Sequence, residues 1–333
     1  FLKNKLNAKK IIITNSCTSA LEIAALLIDT RPGDEIIMPS YTFVSTANAF
    51  VLRGGKPVYV DIRNDNLNIN ENLIEKSITK KTKAIVVVHY AGVPCEMDKI
   101  IKIAKKYKLI VIEDSAQAIF SRYKNKYCGT LGDIGCLSFH ETKNITSCEG
   151  GAIILNKNKY FKKASIICNK GTDREYFNKS LKKYYSWSGL GSSYIPSEIT
   201  CSILYSQLLN YKKIMKEREK IWKNYSLFFK RIKTQLVETR ETFSKKIKIN
   251  HHMFFLICKN FNVREKILSK LRKENILSTF HYIPLHKSIM GSKYYRGKLS
   301  VTESLSKKII RLPFWIGMDQ KIVFKKLKKI LNV

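Results

Sequence analysis

The sequence contains no CxxC pair, no HxxxH or histidine-rich tract, no internal repeat and no linker rich in Pro, Gly and Ser. The missing CxxC excludes a zinc ribbon. The eight scattered cysteines, Cys17 to Cys258, do not form a dense disulfide framework and read as reduced, mostly buried small side chains. Without ligand spacing among the histidines, no metal site is expected. Long apolar runs are missing too. LEIAALLI is interrupted by Glu22 and followed by Asp29, so nothing approaches the roughly 20 residues that cross a bilayer. A soluble, cytoplasmic protein with no membrane partner is expected; because the chain begins at Phe1, a removed targeting segment stays open.

Acidic side chains are also scarce, 26 against 61 Lys and Arg, which gives a formal net charge of +35. Such an excess can serve a nucleic-acid binder. Its distribution argues otherwise: lysines recur in every segment beside many Asn and Ile, without one basic block and without a zinc-finger, RNP or helix-turn-helix pattern. A compositional drift, as an AT-rich genome produces, explains the charge more simply and leaves nucleic-acid binding as the distant alternative. It also means that any single lysine has to be judged by its neighbours.

What is present is a 333-residue chain, 44% hydrophobic, enough for a sizeable core. IIIT, EIIMPS, PVYVDI, AIVVVHY, LIVIEDS, IGCLSF and GGAIIL are short β-branched runs, with helical stretches such as ALEIAALLI and MDKIIKIAKKYK among them. Near-continuous hydrophobic strands spaced by helices predict an α/β fold with a largely parallel sheet covered on both faces. After Ser197, Leu208, Tyr211, Met215, Trp222, Tyr225 and Phe229 recur at helical spacing, which predicts one long bridging helix. HMFFLIC as a strand, VREKILSKLRKE as a helix, an irregular STFHYIPLH and two basic helices near the end complete a smaller unit. The expected division is 1–230 for the large domain with the bridging helix and 231–333 for the small one.

Ligands of open parallel sheets bind at the carboxyl ends of the strands. There, NSCTSAL opens a helix whose free N–H groups suit a phosphate, with Thr18 and Ser19 adding hydroxyls; a simple N-cap is the plainer reading. Asp114 and Gln117 follow the LIVIEDSAQ strand. A carboxylate after four apolar residues needs a cationic partner, and a structural salt bridge stays open beside a functional one. Lys143 of SFHETKN follows the next strand, on the same predicted edge. Phosphate cradle, buried carboxylate and lysine together are the three anchors that pyridoxal phosphate requires.

These motifs, with PSYTFVSTANAFVLRGGKPVYVDI, EGGAI, HYIPLH and RLPFW in the same order, resemble the DegT/DnrJ/EryC1/StrS family of nucleotide-sugar aminotransferases over essentially the whole chain. The resemblance implies the fold-type I architecture of transferases that depend on pyridoxal 5'-phosphate: a large domain on a mostly parallel sheet and a smaller C-terminal α/β domain. It implies Lys143 as the lysine that carries the cofactor and moves the proton, and Asp114 and Gln117 as contacts to the pyridine nitrogen and ring hydroxyl. Thr18, Ser19 and Ser138 fall on phosphate contacts and Phe43 on the aromatic stacked over the ring. Many members read GxNYR where this chain has Gly191-Ser192-Ser193-Tyr194-Ile195. Ser193 takes the place of an Asn that reaches the partner subunit's cofactor phosphate, which implies a homodimer with shared active sites.

His286 resembles a substrate-side residue, with a satisfied structural histidine as the rival reading. Lys170 and Arg174 are candidate contacts to the nucleotide diphosphate, or solvated surface charges. An N-terminal stretch that helps shape the family's sugar pocket lies outside this sequence. HETKN, NKGTDREYF, GLGSSYIPSEI and FHYIPLH resemble most the branch that makes dTDP-4-amino-4,6-dideoxygalactose for enterobacterial common antigen. That branch transfers an amino group from L-glutamate to dTDP-4-keto-6-deoxy-D-glucose. A GDP- or UDP-linked sugar, or a 3-keto substrate, is the alternative, because no motif fixes the base. A dehydratase branch carries histidine in place of the lysine, and Lys143 argues against it.

Overall fold

A computed structural model describes every residue except Lys182, Lys233, Thr242, Arg296 and Val333. The seven apolar runs of the first half all become strands of one sheet: β1 (Lys10–Thr14), β2 (Glu35–Pro39), β3 (Lys56–Val60), β4 (Thr82–Val88), β5 (Ile110–Asp114), β6 (Ile134–Ser138) and β7 (Gly151–Leu155). Their order is β1-β7-β6-β5-β4-β2-β3. Neighbours from β3 through β6 run parallel, whereas β7 is antiparallel to both β6 and β1.

Helices α1 (Cys17–Leu27), α2 (Val44–Val51), α3 (Met97–Lys106) and α4 (Phe161–Cys168) follow β1, β2, β4 and β7. The strands read as continuous apolar runs because both faces are covered. Ala84 and Val86 pack toward α1, α2 and α4, while Ile85 and Val87 of the same strand pack toward α3.

The single long helix expected after Ser197 is two helices, α5 (Glu198–Leu209) and α6 (Tyr211–Arg231). Asn210 breaks them: its backbone, φ −95° and ψ 6°, leaves the helical region, and its amide donates to the Ser206 carbonyl at 3.0 Å. The second half of α6 belongs to another core. Ile221, Tyr225 and Phe228 pack with β9 (Phe255–Cys258), β10 (Ile309–Arg311), α7 (Phe261–Lys273) and α9 (Gln320–Leu331). With β8 (Val237–Glu238), β9 and β10 form a three-stranded antiparallel sheet. Of the two basic helices expected near the end, α9 is lysine-rich, but α8 (Ser300–Ser306) carries none; Lys307 and Lys308 lie just beyond its last turn.

The C-terminal unit is fastened over one edge of the large sheet. Buried Asp61, after β3, accepts hydrogen bonds from the Val301 and Thr302 amides at 3.0 and 2.8 Å and from the Thr302 hydroxyl at 2.6 Å. Such a carboxylate at a helix start satisfies donors that have no intrahelical partner. The same sheet edge holds the carboxyl ends of β1, β4, β5 and β6, at Thr14, Val88, Asp114 and Ser138, and the first residue of β7, Gly151. Among the described residues, no helix is long and apolar enough to cross a membrane.

Candidate active site

A cavity of about 500 Å³ opens at this edge, between the large sheet and the C-terminal unit. Thr18, Phe43, Asp114, Gln117, Ser138 and Lys143 all line it, so six of the residues singled out in the sequence converge on one space.

Each is positioned by a strand end or a helix start. Asp114 closes β5 and is only 5% exposed. The Thr46 hydroxyl donates to its Oδ2 at 2.7 Å and the Ala116 amide to its Oδ1 at 3.1 Å. Among the described residues it makes no ion pair, so the structural salt bridge considered from the sequence is not formed. A buried carboxylate held by neutral donors alone suits a cationic ligand group. Gln117 is clamped from both sides: its Oε1 accepts from the Ala91 amide at 2.7 Å and its Nε2 donates to the Tyr282 hydroxyl at 2.7 Å.

Lys143 sits in the turn after β6, its amide donating to the His140 carbonyl at 2.9 Å. Burial lowers the pKa of its amine; Cys17 and Asp114 oppose that shift and Arg311 adds to it. A larger share of neutral amine at neutral pH follows, which is what a nucleophile or proton carrier needs. The next residue locks the turn. Asn144 donates to the Asn250 carbonyl at 2.7 Å, and its Oδ1 accepts from Nδ1 of buried His252 at 2.8 Å. Burial, with the nearby Lys143 and Arg218 cations, pushes the His252 pKa well down, so this ring stays neutral.

The start of α1 faces the cavity through Ser16, Cys17 and Thr18, and the Thr18 and Ser45 hydroxyls lie 2.9 Å apart. The first-turn amides of a helix have no intrahelical acceptors and favour an anion. Ser19 departs from the expectation. Ser16 is the N-cap, accepting from the Ser19 amide at 3.0 Å, and the Ser19 hydroxyl donates to Asn15 Oδ1, which turns it away from the cavity. Phe43, 57% exposed, stands at the mouth 6.3 Å from the ring of Tyr282.

Four further expectations also lie outside this space. His286 is 3% exposed, and both ring nitrogens are engaged, by Ser40 Oγ at 2.7 Å and by Glu303 at 3.1 Å, the pattern of a satisfied structural histidine. Lys170 and Arg174 are exposed and do not line the cavity. Arg174 lies 5.8 Å from the centre of the Tyr185 ring. Ser193 is exposed on a loop, its carbonyl accepting from Asn15 Nδ2 at 3.2 Å. The sequence reading in turn passed over Thr46, His252, His281, Tyr282 and Arg311, all of which line the cavity. Arg311 left a signal, a charge inside the apolar run IIRLPFW, of the same kind that drew attention to Asp114.

Residues 2–329 match the DegT/DnrJ/EryC1/StrS aminotransferase family. The chain belongs to this family. Among curated relatives, the spore coat polysaccharide biosynthesis protein SpsC of Bacillus subtilis is 31% identical, covering 84% of this chain and 73% of its own. GDP-perosamine synthase of Escherichia coli O157:H7 is 31% identical, covering 92% and 80%. The solved structure of Helicobacter pylori PseC, an aminotransferase of pseudoaminic acid biosynthesis, superposes with a TM-score of 0.90 at 29% identity over 99% of this chain and 89% of its own. This DegT/DnrJ/EryC1/StrS member is thus a pyridoxal-phosphate-dependent sugar aminotransferase of fold-type I, using a nucleotide-sugar substrate and an amino donor. The cavity fits the cofactor: a buried carboxylate held by neutral donors, a lysine amine and a helix start with the Thr18 and Ser45 hydroxyls stand around it.

Proposed function

We propose that this enzyme transfers the amino group of L-glutamate to C4 of dTDP-4-keto-6-deoxy-D-glucose, giving dTDP-4-amino-4,6-dideoxy-D-galactose and 2-oxoglutarate. The Lys143 amine in one cavity with a buried Asp114 that makes no ion pair among the described residues is the observation that carries the chemistry. The choice of sugar rests on the stretches HETKN, NKGTDREYF, GLGSSYIPSEI and FHYIPLH.

When bound, pyridoxal phosphate supplies an electron sink for negative charge that develops at a substrate carbon. Lys143 would hold the cofactor through Nζ. Freed by an incoming substrate amine, its neutral amine would take the proton from the donor's α-carbon, and in the second half-reaction it would deliver a proton to C4 of the sugar. Asp114, fixed by Thr46 and Ala116, would hold a proton on the ring nitrogen. Of the other cavity-lining residues, Gln117 would face the ring hydroxyl, Thr18, Ser138 and the α1 amides would take the phosphate, and Phe43 would cover the ring and exclude water.

We further infer a homodimer with shared sites, in the cytoplasm. Support for the dimer comes from Leu181, Tyr184, Trp187, Leu190 and Ile199, large apolar side chains exposed in the segment that also carries Ser193. In a dimer the Ser193 hydroxyl would reach the partner's phosphate. All eight cysteines are free, in keeping with a reducing compartment.

A GDP-linked substrate is the second reading, favoured by the likeness to GDP-perosamine synthase. The deciding experiment supplies dTDP-, GDP- and UDP-linked 4-keto-6-deoxy sugars to the enzyme with L-glutamate and identifies the amino sugar by mass and proton coupling. Amination of the dTDP sugar at C4 with galacto configuration is expected. Turnover of the GDP sugar alone would replace the first reading by the second.

A further inference from the structure

We propose that Arg218 is a positioning residue for Lys143: it holds the left-handed turn at His251, and the residues on either side of that turn set the Lys143 turn and the Gln117 loop. The assignment rests on reading Lys143 as the lysine that carries the cofactor. Arg218 lies on α6, is 6% exposed and does not line the cavity. Among the described residues its guanidinium pairs with no carboxylate. Nε donates to the His251 carbonyl at 3.4 Å and Nη2 to the His252 carbonyl at 2.5 Å, and the group lies 4.8 Å from the centre of the Phe314 ring.

Burial lowers its pKa to about 10, so the charge persists at neutral pH. A buried cation without a counter-ion is costly, and the two carbonyls it meets show what the charge is for. His251 has a φ of 53°, the left-handed region that a residue with a Cβ enters at a cost. Such a conformation persists where its surroundings enforce it. Charge-assisted hydrogen bonds to the carbonyls of His251 and of the next residue do so.

The neighbours of His251 hold the site. Asn250, 1% exposed, donates from Nδ2 to the carbonyls of Gln117 and Ile119, both at 2.9 Å. Its own carbonyl accepts from Asn144 Nδ2, and the His252 ring donates to Asn144 Oδ1, so the residue next to Lys143 is held at both ends of its amide. A different φ at His251 would turn the Asn250 carbonyl and the His252 ring apart. Burial, then the Lys143 and Arg218 cations, keep that ring neutral. A side chain of α6 that touches neither cofactor nor substrate thereby governs where the Lys143 amine stands.

The test starts from the cofactor-free protein mixed with pyridoxal 5'-phosphate, where the rise of the visible band times attachment to Lys143. Pyridoxamine 5'-phosphate has no aldehyde to attach, so its affinity, measured by calorimetry, reports on the cavity without the lysine. In Arg218→Met, attachment should slow by about tenfold or more and amino transfer from glutamate by about a hundredfold, the scale of a reacting group misplaced by about 1 Å, while affinity for pyridoxamine 5'-phosphate stays within about threefold. His251→Gly, which adopts the left-handed turn without being pinned, should restore most of the lost rate when added to Arg218→Met. Arg218→Lys keeps the charge on a single head group and should fall between; it carries the same comparison if Arg218→Met does not fold. An unchanged attachment rate, an affinity for pyridoxamine 5'-phosphate that falls in step with it, or a double variant no better than Arg218→Met overturns the assignment and leaves Lys143 in its role. A band that grows equally in Lys143→Ala removes the reading of Lys143 and this assignment with it.

Discussion

At the scale of single residues, the site is organised around Asp114, a buried charge that forms no ion pair among the described residues. Asp114→Asn keeps a side chain of the same shape at the end of β5 but removes the charge. Losing one member of a buried ion pair costs about 3–5 kcal/mol, so amino transfer should slow by more than about a hundredfold. Pre-steady-state rates of the glutamate half-reaction measure this directly, and a loss below tenfold would contradict the role given to Asp114. His252 makes a separate prediction about stability. Its folded pKa lies well below the ordinary 6.5 because the ring is buried beside cations. Below pH 6.5 the unfolded chain takes up a proton that the native state refuses, so stability is present above that pH and falls as pH drops, by about 1.4 kcal/mol per pH unit until the folded pKa is reached. His251 and His281 are depressed by burial too, so urea unfolding between pH 7 and pH 5 should show a slope that His252→Gln reduces by this share without abolishing it.

At the scale of elements, β7 and α1 fit together with no room for a side chain. A Cβ on Gly151 would stand 2.4 Å from the Cys17 amide nitrogen and 2.5 Å from the Ser16 carbonyl oxygen. Gly151→Ala should therefore push the α1 start off the sheet edge, weakening cofactor binding at least tenfold and destabilising the fold by about 1–3 kcal/mol. Equilibrium dialysis with the cofactor and thermal unfolding report the two effects separately. The strands were readable because burial on both faces leaves continuous runs such as AIVVV, a pattern that needs no tertiary information. Asp114 and Lys143 were readable because strand ends on one edge converge. Ser19 was not, because which of several adjacent hydroxyls faces outward depends on which one caps the helix, and Ser16 does. The break at Asn210 was hidden because the apolar spacing continues across it. Arg311 was hidden by the chain's own composition, in which a further basic residue draws little notice, and its distance from Asp114 along the chain closes only through the packing of β10.

At the scale of the whole molecule, the exposed apolar side chains between residues 181 and 199 call for a cover. Trp187, 81% exposed, is the largest. Light scattering should find the mass of a dimer, and Trp187→Glu should shift it toward the monomer while reducing cofactor retention if sites are shared; an unchanged mass with both proteins monomeric would remove the dimer. The sheet order has a consequence for the time at which the enzyme comes into being. β1 is made long before β7, yet among the described residues β7 is its sole neighbour in the sheet, with Lys10 opposite Leu155. At a synthesis rate of roughly 5–20 residues per second, β1 waits on the order of ten seconds before its partner leaves the ribosome. During that interval the start of α1, which β7 braces, has no fixed seat, and the growing chain carries an apolar strand without a neighbour. The ability to hold a phosphate would thus be acquired late, and the vitamin-derived cofactor would meet a receptive surface only after the chain has been made through Leu155.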